Sequence, residues 1–296
     1  MSPPVLAADV GGTQMRAALV DTDGTILERR SAPTPQSAAV PAALVDLVRT
    51  VGAERAHGAA SHAVVGLPGS VDYDAGRLLW APHLPRQWPD TLSTGELSSA
   101  LGLPVYVAND ADLAAVGEAL LGAGATSPDV AYVTISTGIG AGVVHHGRLV
   151  HGRRSLAEIG HTVIDWKAWL ERAPCTLEEL GSGSGLAVLA RQAGLGDLDA
   201  RQVEEAAVGG DPRADAIWEA AIAACAVGVA NVLMDFSPST VVIGGGLGRR
   251  SEFFDRVRAL VLSRPEHQPD DLAIVASALG DDAGLMGSAR WTEAIR

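Results

Sequence analysis

Cysteine is scarce in this sequence, and basic residues are outnumbered by acidic ones. Only Cys175 and Cys225 occur among 296 residues, which excludes a disulfide framework and a Cys-x-x-Cys metal ribbon and fits a reducing cytoplasm. Lys and Arg number 22 against 35 Asp and Glu, giving a formal net charge of −13. This charge argues against duplex DNA or an anionic membrane as a partner, although a local basic pocket for phosphates stays compatible with it.

An export signal and a membrane-spanning run are also lacking. The start, MSPPVLAADVGG, has no basic segment of the kind that opens a signal peptide. The apolar run from Ala220 to Ala230 is interrupted by Asn231 and Asp235 before the roughly 18 to 20 residues that a bilayer span needs. We therefore expect a cytoplasmic protein in which Arg213 to Asp235 form a buried helix.

The chain is long enough for two domains. Its 296 residues are 47% hydrophobic, and domains average about 150 residues. We predict a small N-terminal α/β domain of residues 1–115, joined by a C-terminal helix of residues 285–296, and a larger α/β domain of residues 116–284.

The first distinctive feature is a hairpin with a glycine-rich turn. Apolar residues run from Val5 into Asp9, a turn at Gly11, Gly12 and Thr13 follows, and a second apolar run reaches Val20. Because glycine has no Cβ, backbone N–H groups in such a turn can approach a phosphate closely. Asp9 could offer its carboxylate to a metal-bound water. A tight hairpin without a ligand explains the motif equally well.

A second hairpin repeats this pattern. A strand from Val130 to Ile135 leads into a turn from Ser136 to Gly142 and a strand from Val143 to His145. The repetition predicts a duplicated fold in which each half offers a backbone cradle to one nucleotide. Glycines that only shape the corners of a barrel are the alternative.

A carboxylate is predicted at the start of a helix. The strand Val105 to Ala108 is followed by Asn109 and Asp110 and then by a helix from Ala111 to Leu121. The free N–H groups and the macrodipole at a helix N-terminus stabilise such a carboxylate. A plain N-cap aspartate is the alternative to a functional one.

Further polar and glycine-rich stretches follow predicted strands or open helices. Glu158, His161, Glu178 and Glu179 lie near glycines, and such carboxylates bind sugar hydroxyls well. Exposed helix charges and a surface histidine would explain them too. A strand from Thr240 to Ile243 runs into glycines 244 to 246, where a flat adenine could lie against backbone. The segment Leu78 to Trp88 reads as a loop.

Together these motifs resemble the ROK family of bacterial sugar kinases and related repressors. The stretches DVGGTQMRAALVDTDGTI, GLPGSVD, VANDADLAAVGE, STGIGAGVV, AEIGHT, VVIGGGLG and GDDAGLMGSA occur in the family's order and spacing, from Asp9 to about Ala289. The resemblance implies an α/β fold of two actin-like ATPase domains with the active site in the cleft between them.

The resemblance also implies roles for individual residues. Asp110 resembles the catalytic base that takes the proton of the sugar 6-hydroxyl as it attacks the γ-phosphate of ATP. Asp9 resembles the residue that reaches Mg²⁺ through water. Residues that resemble sugar ligands are Gly69, His83, Asn109, Asp110, Glu158, His161 and Glu178. Residues that resemble nucleotide ligands are Gly11, Gly12, Thr13, Gln14, Thr137, Gly138, Gly140, Gly244, Gly245 and Gly246.

Two departures from the family pattern bear on the substrate. Kinases of the family usually carry three zinc-binding cysteines after the Glu-x-Gly-His element, whereas only Cys175 lies in that region here. We therefore expect no structural zinc, a His161 free of metal, and a loop held by packing of Trp166 and Trp169. His83 stands where glucose-selective members have asparagine. These departures suggest a specialised substrate such as a glucose-like amino sugar, for example kanosamine, with glucose itself and neutral drift as the alternatives.

Other functions of the family remain open at this point. A sugar-responsive repressor is one, but only eight residues precede Asp9, which leaves no room for a helix-turn-helix. A non-catalytic sugar sensor and kinases of N-acylhexosamines, mannose or fructose are others. We expect small-molecule sugar and nucleotide partners and a homodimer, with no nucleic acid or membrane partner.

Overall fold

The computed structural model describes residues 3–37, 39–51, 60–81, 91–156, 158–267 and 272–296. Within these ranges the chain forms two five-stranded mixed sheets, a small two-stranded sheet and a set of helices. The α/β class predicted from the sequence is therefore confirmed.

The first large sheet has the strand order β3-β2-β1-β4-β7. The opening strands β1 to β3 pair antiparallel, whereas β1, β4 and β7 run parallel, so Asp9 lies between Arg16 and Gly66. The elements up to residue 128 are β1 Val5–Val10, β2 Gln14–Val20, β3 Ile26–Pro33, α1 Val40–Thr50, β4 Ala63–Leu67, β5 Ser70–Asp72, β6 Arg77–Trp80, α2 Thr94–Leu101, β7 Val105–Asn109 and α3 Asp110–Leu120.

The second large sheet has the order β10-β9-β8-β11-β12. Strands β8, β11 and β12 are parallel, and β9 pairs antiparallel with β10. The remaining elements are β8 Asp129–Ile135, β9 Ile139–His145, β10 Arg148–Leu149, α4 Trp166–Glu171, α5 Leu177–Gly181, α6 Gly183–Gln192, α7 Ala200–Val208, α8 Pro212–Phe236, β11 Thr240–Gly244, α9 Ser251–Val261, β12 Ala273–Ala276, α10 Ala283–Ser288 and α11 Trp291–Ala294.

Contacts group the chain into two compact units. The first comprises Met1–Pro128, Gly142–Ala157 and Asp281–Arg296, and the second comprises Asp129–Ala141 and Glu158–Gly280. The predicted domain boundary after residue 115 lies inside α3 and stays a prediction.

The predicted buried helix is α8. Its length and composition would suffice for a membrane span, but 61% of its most apolar window is buried inside the protein. Asp211 caps the helix by accepting a hydrogen bond from the Arg213 N–H, and Pro212 occupies its first turn, where no N–H donor is missed. We therefore describe α8 as a core helix.

Three predicted elements are corrected. Residues 78–80 of the predicted loop belong to β6, which pairs with β5, and residues 82–88 lie outside the described ranges. The predicted turn of residues 136–142 is shorter, because β9 begins at Ile139. The predicted single helix from Leu285 is two short helices, α10 and α11.

Candidate active site

The first glycine turn lies in the first unit and has its carbonyl groups paired. The Gly11 carbonyl accepts from Thr34 Oγ1 at 2.6 Å, that of Gly12 from Gln36 Nε2 at 2.9 Å, and that of Thr13 from the Thr34 N–H at 2.9 Å. Phosphate oxygens accept hydrogen bonds and are repelled by free carbonyl oxygens. The carbonyl groups of this turn are held by other donors and are therefore less available to repel a phosphate. Thr13 and Gln14 are exposed. The N–H of Gly11 donates to the Gln14 carbonyl at 3.0 Å, so this donor is already engaged within the turn, and phosphate binding by the turn stays a prediction.

Asp9, the predicted magnesium residue, is paired with Arg16. Arg16 Nη2 lies 2.5 Å from Asp9 Oδ2, and Arg16 Nη1 donates to the carbonyl of Asp281 at 2.7 Å. Mg²⁺ keeps several waters and binds through one or two carboxylates together with substrate phosphates. A carboxylate beside the glycine turn, with one oxygen committed to Arg16, fits a water-mediated contact better than direct coordination.

Asn109, rather than Asp110, caps helix α3. The Asn109 Oδ1 accepts from the N–H groups of Ala111 and Asp112, at 2.8 and 3.1 Å. Its Nδ2 donates to the carbonyl of Gly69 at 2.9 Å. The plain N-cap alternative for Asp110 is therefore wrong. Asp110 is the first residue of the helix, where the helix macrodipole favours a negative charge.

Gly69 makes a tight turn that only glycine allows. Its φ of +90° lies in the left-handed region, and a Cβ there would come closer than 3.0 Å to the carbonyl of Trp80. The turn presents the Gly69 carbonyl to Asn109. Gly69, a predicted sugar residue, thus supports Asn109 directly.

The second unit brings three predicted sugar residues together with the second glycine turn. Glu178 Oε2 accepts from the N–H of Ile139 at 2.9 Å, and His161 Nε2 lies 3.4 Å from Glu158 Oε2. Gly160 allows this approach, because a Cβ there would lie 2.5 Å from the Ile139 carbonyl and 3.2 Å from Glu178 Oε2. Two carboxylates and an imidazole therefore border the turn that carries Thr137.

Glu158 has a perturbed acidity. Burial raises the pKa of its carboxyl above the usual range, the nearby Glu178 charge raises that pKa further, and His161 lowers it. An ionised carboxylate accepts hydrogen bonds from sugar hydroxyls more strongly than a protonated carboxyl group does. Sugar binding that depends on Glu158 should therefore weaken as the pH falls through this raised pKa.

Thr137 and Gly246 line one pocket of the second unit, about 450 Å³ in volume. Helix α6 begins against the Thr137 turn: the N–H of Gly183 donates to the Ser136 carbonyl at 2.8 Å, and Ser184 Oγ donates to that of Thr137 at 2.6 Å. Small-molecule sites occupy about 300 to 1,000 Å³. The pocket joins the predicted phosphate turn to the predicted adenosine glycines. Its lining also includes Ser184, Asp199, Arg201, Leu247 and Arg250.

The three glycines after β11 differ in what they contact. A Cβ at Gly244 would come closer than 3.0 Å to Tyr132 Oη, and one at Gly245, whose φ is +82°, closer than 3.0 Å to the Ile135 carbonyl. A Cβ at Gly246 would meet nothing within 4 Å. Packing on β8 thus accounts for Gly244 and Gly245, and Gly246 alone faces open space at the pocket.

We expect Gly246→Leu to weaken nucleotide binding without weakening the fold. A side chain at this position would fill pocket space, so the KM for ATP should rise by about ten-fold or more while the melting temperature stays near that of the wild type. Steady-state kinetics with ATP as the varied substrate measures this. The matched Gly245→Leu variant should be destabilised instead, and a Gly246→Leu enzyme with an unchanged KM would contradict the assignment.

The loop that replaces the zinc motif is closed by hydrogen bonds. The N–H groups of Ile164 and Asp165 donate to the Cys175 carbonyl at 2.9 and 3.2 Å. Glu179 Oε2 accepts from the N–H groups of Cys175 and Thr176, both at 3.0 Å. These bonds join the two ends of the loop.

The predicted packing of Trp166 and Trp169 is wrong. Their exposed fractions are 66% and 59%, and α4, which carries both, has no buried residue. Lys167 Nζ lies 5.6 Å from the centre of the Trp166 ring. Hydrogen bonds to the loop backbone, rather than packing of the indole rings, therefore close the loop.

Two candidate functional residues were not predicted from the sequence, and one predicted residue is not among those that the structure describes. His83 lies outside the described residues. Arg16, which pairs with Asp9, and Arg250, which forms an ion pair with Glu204 at the pocket, were not predicted. The antiparallel register that sets Arg16 opposite Asp9 could have indicated the first, whereas the second depends on tertiary packing.

Comparison with known proteins identifies relatives along the whole chain. Residues 5–295 match the ROK family. The chain is 37% identical over 292 residues to the bifunctional enzyme NanE/NanK of Brucella melitensis, covering 97% of this chain but 54% of that protein, so it spans about half the length of that relative. It is 30% identical to the glucokinase of Thermotoga maritima and 33% identical to the N-acetylmannosamine kinase of Citrobacter koseri, covering 96% of this chain in both cases and 96% and 97% of those proteins.

Two solved structures extend the match to three dimensions. The ROK hexokinase of Thermus thermophilus superimposes with a TM-score of 0.83 at 28% identity, covering 98% of each chain. The ROK family glucokinase of Streptomyces griseus, solved with glucose and AMPPNP, gives 0.78 at 30% identity, covering 97% of this chain and 98% of that one. These matches confirm the predicted two-domain actin-like ATPase fold. The chain belongs to the ROK family.

Proposed function

We propose that this protein is an ATP-dependent sugar kinase that transfers the γ-phosphate of ATP to the 6-hydroxyl of a hexose. The observation that carries the proposal is the hydrogen bond from the Ile139 N–H to Glu178. This bond joins Glu178, a predicted sugar residue, to the turn that carries Thr137, a predicted phosphate residue. A phosphotransferase needs an acceptor site and a phosphate site in that relation.

In the proposed reaction Asp110 takes the proton of the sugar hydroxyl as that oxygen attacks the γ-phosphorus and the bond to ADP breaks. Glu158, His161, Glu178 and Asn109 bind the other hydroxyls. Backbone donors of the two glycine turns hold the phosphates. Mg²⁺, reached from Asp9 through water, would neutralise phosphate charge when bound.

The acceptor is either glucose, with glucose-like amino sugars such as kanosamine, or an N-acylhexosamine. The replacement of asparagine by His83 and the missing zinc cysteines favour a glucose-like amino sugar within the first class. The 37% identity to NanE/NanK and the 33% identity to an N-acetylmannosamine kinase favour the second. Pocket contacts to a single substituent discriminate by about 1 to 3 kcal/mol in an apolar site and by more where buried polar groups are left unpaired.

A sugar panel tests the proposal. ADP release with ATP as the donor, and sugar phosphate formation with polyphosphate as an alternative donor, should be measured against glucose, mannose, fructose, glucosamine, 3-amino-3-deoxyglucose, N-acetylglucosamine and N-acetylmannosamine. A kinase should turn over at least one of these sugars well above the sugar-free rate. ADP release that no sugar stimulates would refute the proposal in favour of a sensor or regulator.

We further propose that the protein holds no structural zinc. Cys175 is the only cysteine in the relevant loop, and one thiol cannot supply the three cysteine ligands of the family's zinc motif. Elemental analysis of the purified, dialysed protein should find well under one zinc per chain, and chelator should leave the melting temperature unchanged. One tightly held equivalent would contradict this.

The expected homodimer and the cytoplasmic location are part of the same proposal. A small phosphorylated sugar is retained by a membrane, so a kinase of this kind acts where ATP is made. Light scattering after gel filtration should give twice the chain mass of 30.4 kDa.

A further inference from the structure

We propose that Tyr73 is a positioning residue for Asp110, acting through a hydroxyl group that bonds to the chain on both sides of that carboxylate. The inference rests on the proposed function, in which Asp110 is the catalytic base. It concerns contacts within the first unit only.

The Tyr73 hydroxyl makes two hydrogen bonds to the first turn of α3. It donates to Asp112 Oδ2 at 2.5 Å and accepts from the backbone N–H of Asn109 at 3.2 Å. These partners stand one residue before and two residues after Asp110. The hydroxyl is therefore bonded to the chain both before and after Asp110.

The same segment of chain holds Asn109 at a second point. Gly69, four residues before Tyr73, accepts from Asn109 Nδ2 at 2.9 Å. Asn109 in turn caps the N–H groups of Ala111 and Asp112. Residues 69–73 thus hold Asn109 through both its side chain and its backbone. Because Asn109 caps α3, they also hold the first turn of the helix, which carries Asp110.

The direction of the short bond is set by burial and charge. Asp112 has an exposed fraction of 0%, and a buried carboxylate is costly unless donors reach it. Burial, and next the Asp112 charge, raise the pKa of the Tyr73 hydroxyl well above its usual value, so it remains a protonated donor. A length of 2.5 Å is typical of a charge-assisted O–H to carboxylate bond.

The Tyr73 ring has its own packing, which separates the hydroxyl from the rest of the side chain. Its centroid lies 5.3 Å from that of His151 and 5.6 Å from that of Trp291. Tyr73→Phe keeps these ring contacts and removes the bonds that the hydroxyl makes to Asn109 and Asp112, together with its side-chain contact to Ser155. The variant is therefore a specific probe of positioning.

Steady-state kinetics of Tyr73→Phe tests the inference. We expect kcat to fall by about ten- to a hundred-fold, because small displacements of a catalytic group cost that much, while the KM for ATP stays within two-fold. Tyr106→Phe, at a tyrosine of β7 that is 38% exposed, is the matched control and should keep kcat within two-fold. In an Asp110→Asn background, Tyr73→Phe should change the residual rate by less than two-fold, since no base is left to position.

Two outcomes would overturn the inference: a Tyr73→Phe enzyme with kcat within two-fold of the wild type, or an equal loss with and without Asp110, which would indicate general damage. A wild-type protein that turns over no hexose would instead defeat the proposed function. If Tyr73→Phe fails to fold because Asp112 loses its donor, Asp112→Asn removes the buried charge. The Tyr73→Phe/Asp112→Asn pair is then compared with Asp112→Asn by the same criteria.

Discussion

Asp110→Asn should lower kcat by about three orders of magnitude, because a positioned general base contributes roughly 10²- to 10⁴-fold and a carboxamide cannot take a proton. Asparagine has the size of aspartate and can still accept the hydrogen bond that the Ala111 N–H donates to Asp110 Oδ1 at 2.9 Å. The KM for ATP and for the sugar should therefore change by no more than a few-fold. The loss belongs to the chemical step rather than to binding.

The measurement is an initial-rate comparison at saturating ATP and sugar. Asp46→Asn is the matched control, since Asp46 lies on α1 with 78% of its side chain exposed and should keep full activity. A circular dichroism spectrum and melting curve establish that both variants fold. Turnover of Asp110→Asn within ten-fold of the wild type would remove Asp110 from the catalytic role.

Gly287→Ala should lower the free energy of unfolding by about 3 kcal/mol, the upper part of the usual range for overpacking. A Cβ at Gly287 on α10 would come closer than 3.0 Å to the Leu113 carbonyl and to the Gly117 nitrogen, both backbone atoms of α3. A Cβ at Gly117 would likewise come closer than 3.0 Å to the Ala283 carbonyl of α10. Backbone cannot give way as a flexible side chain can, so the two helices must separate.

Urea unfolding of Gly287→Ala and of a matched Gly95→Ala control measures this loss. Gly95 lies in α2, and a Cβ there would meet nothing within 4 Å. The control should be unchanged or stabilised by up to about 1 kcal/mol, the helix preference of alanine over glycine. Because α3 begins with Asp110, Gly287→Ala should also lose activity. Equal stability of the two variants would show that close packing of α3 and α10 does not hold this unit together.

Local patterns were enough to predict several elements of the fold. Helix α2, Thr94–Leu101, has both of its end signals in the sequence, because Ser93 accepts from the Glu96 N–H and Gly102, at a φ of +72°, ends the helix. The opening hairpin and the helix after Asn109 also follow from apolar spacing and turn residues. The candidate residues that lie next to such elements were therefore found from the sequence.

Features set by tertiary packing were not predictable in this way. Leu285 and Trp291 are both buried, at 1% exposed each, although six residues on one straight helix rotate by about 240° and would face different sides. A break between α10 and α11 lets both side chains be buried. Trp166 and Trp169 show the converse, since large apolar side chains suggested packing where the loop is closed by Glu179 and backbone bonds.

The most direct test of the central claim is ³¹P NMR of the reaction products with the best sugar of the panel. The γ-phosphate signal of ATP should disappear as ADP and a hexose 6-phosphate appear in equal amounts, and the sugar phosphate signal should show coupling to the two protons on carbon 6. A phosphate on the anomeric oxygen, or inorganic phosphate without a sugar phosphate, would contradict the claim.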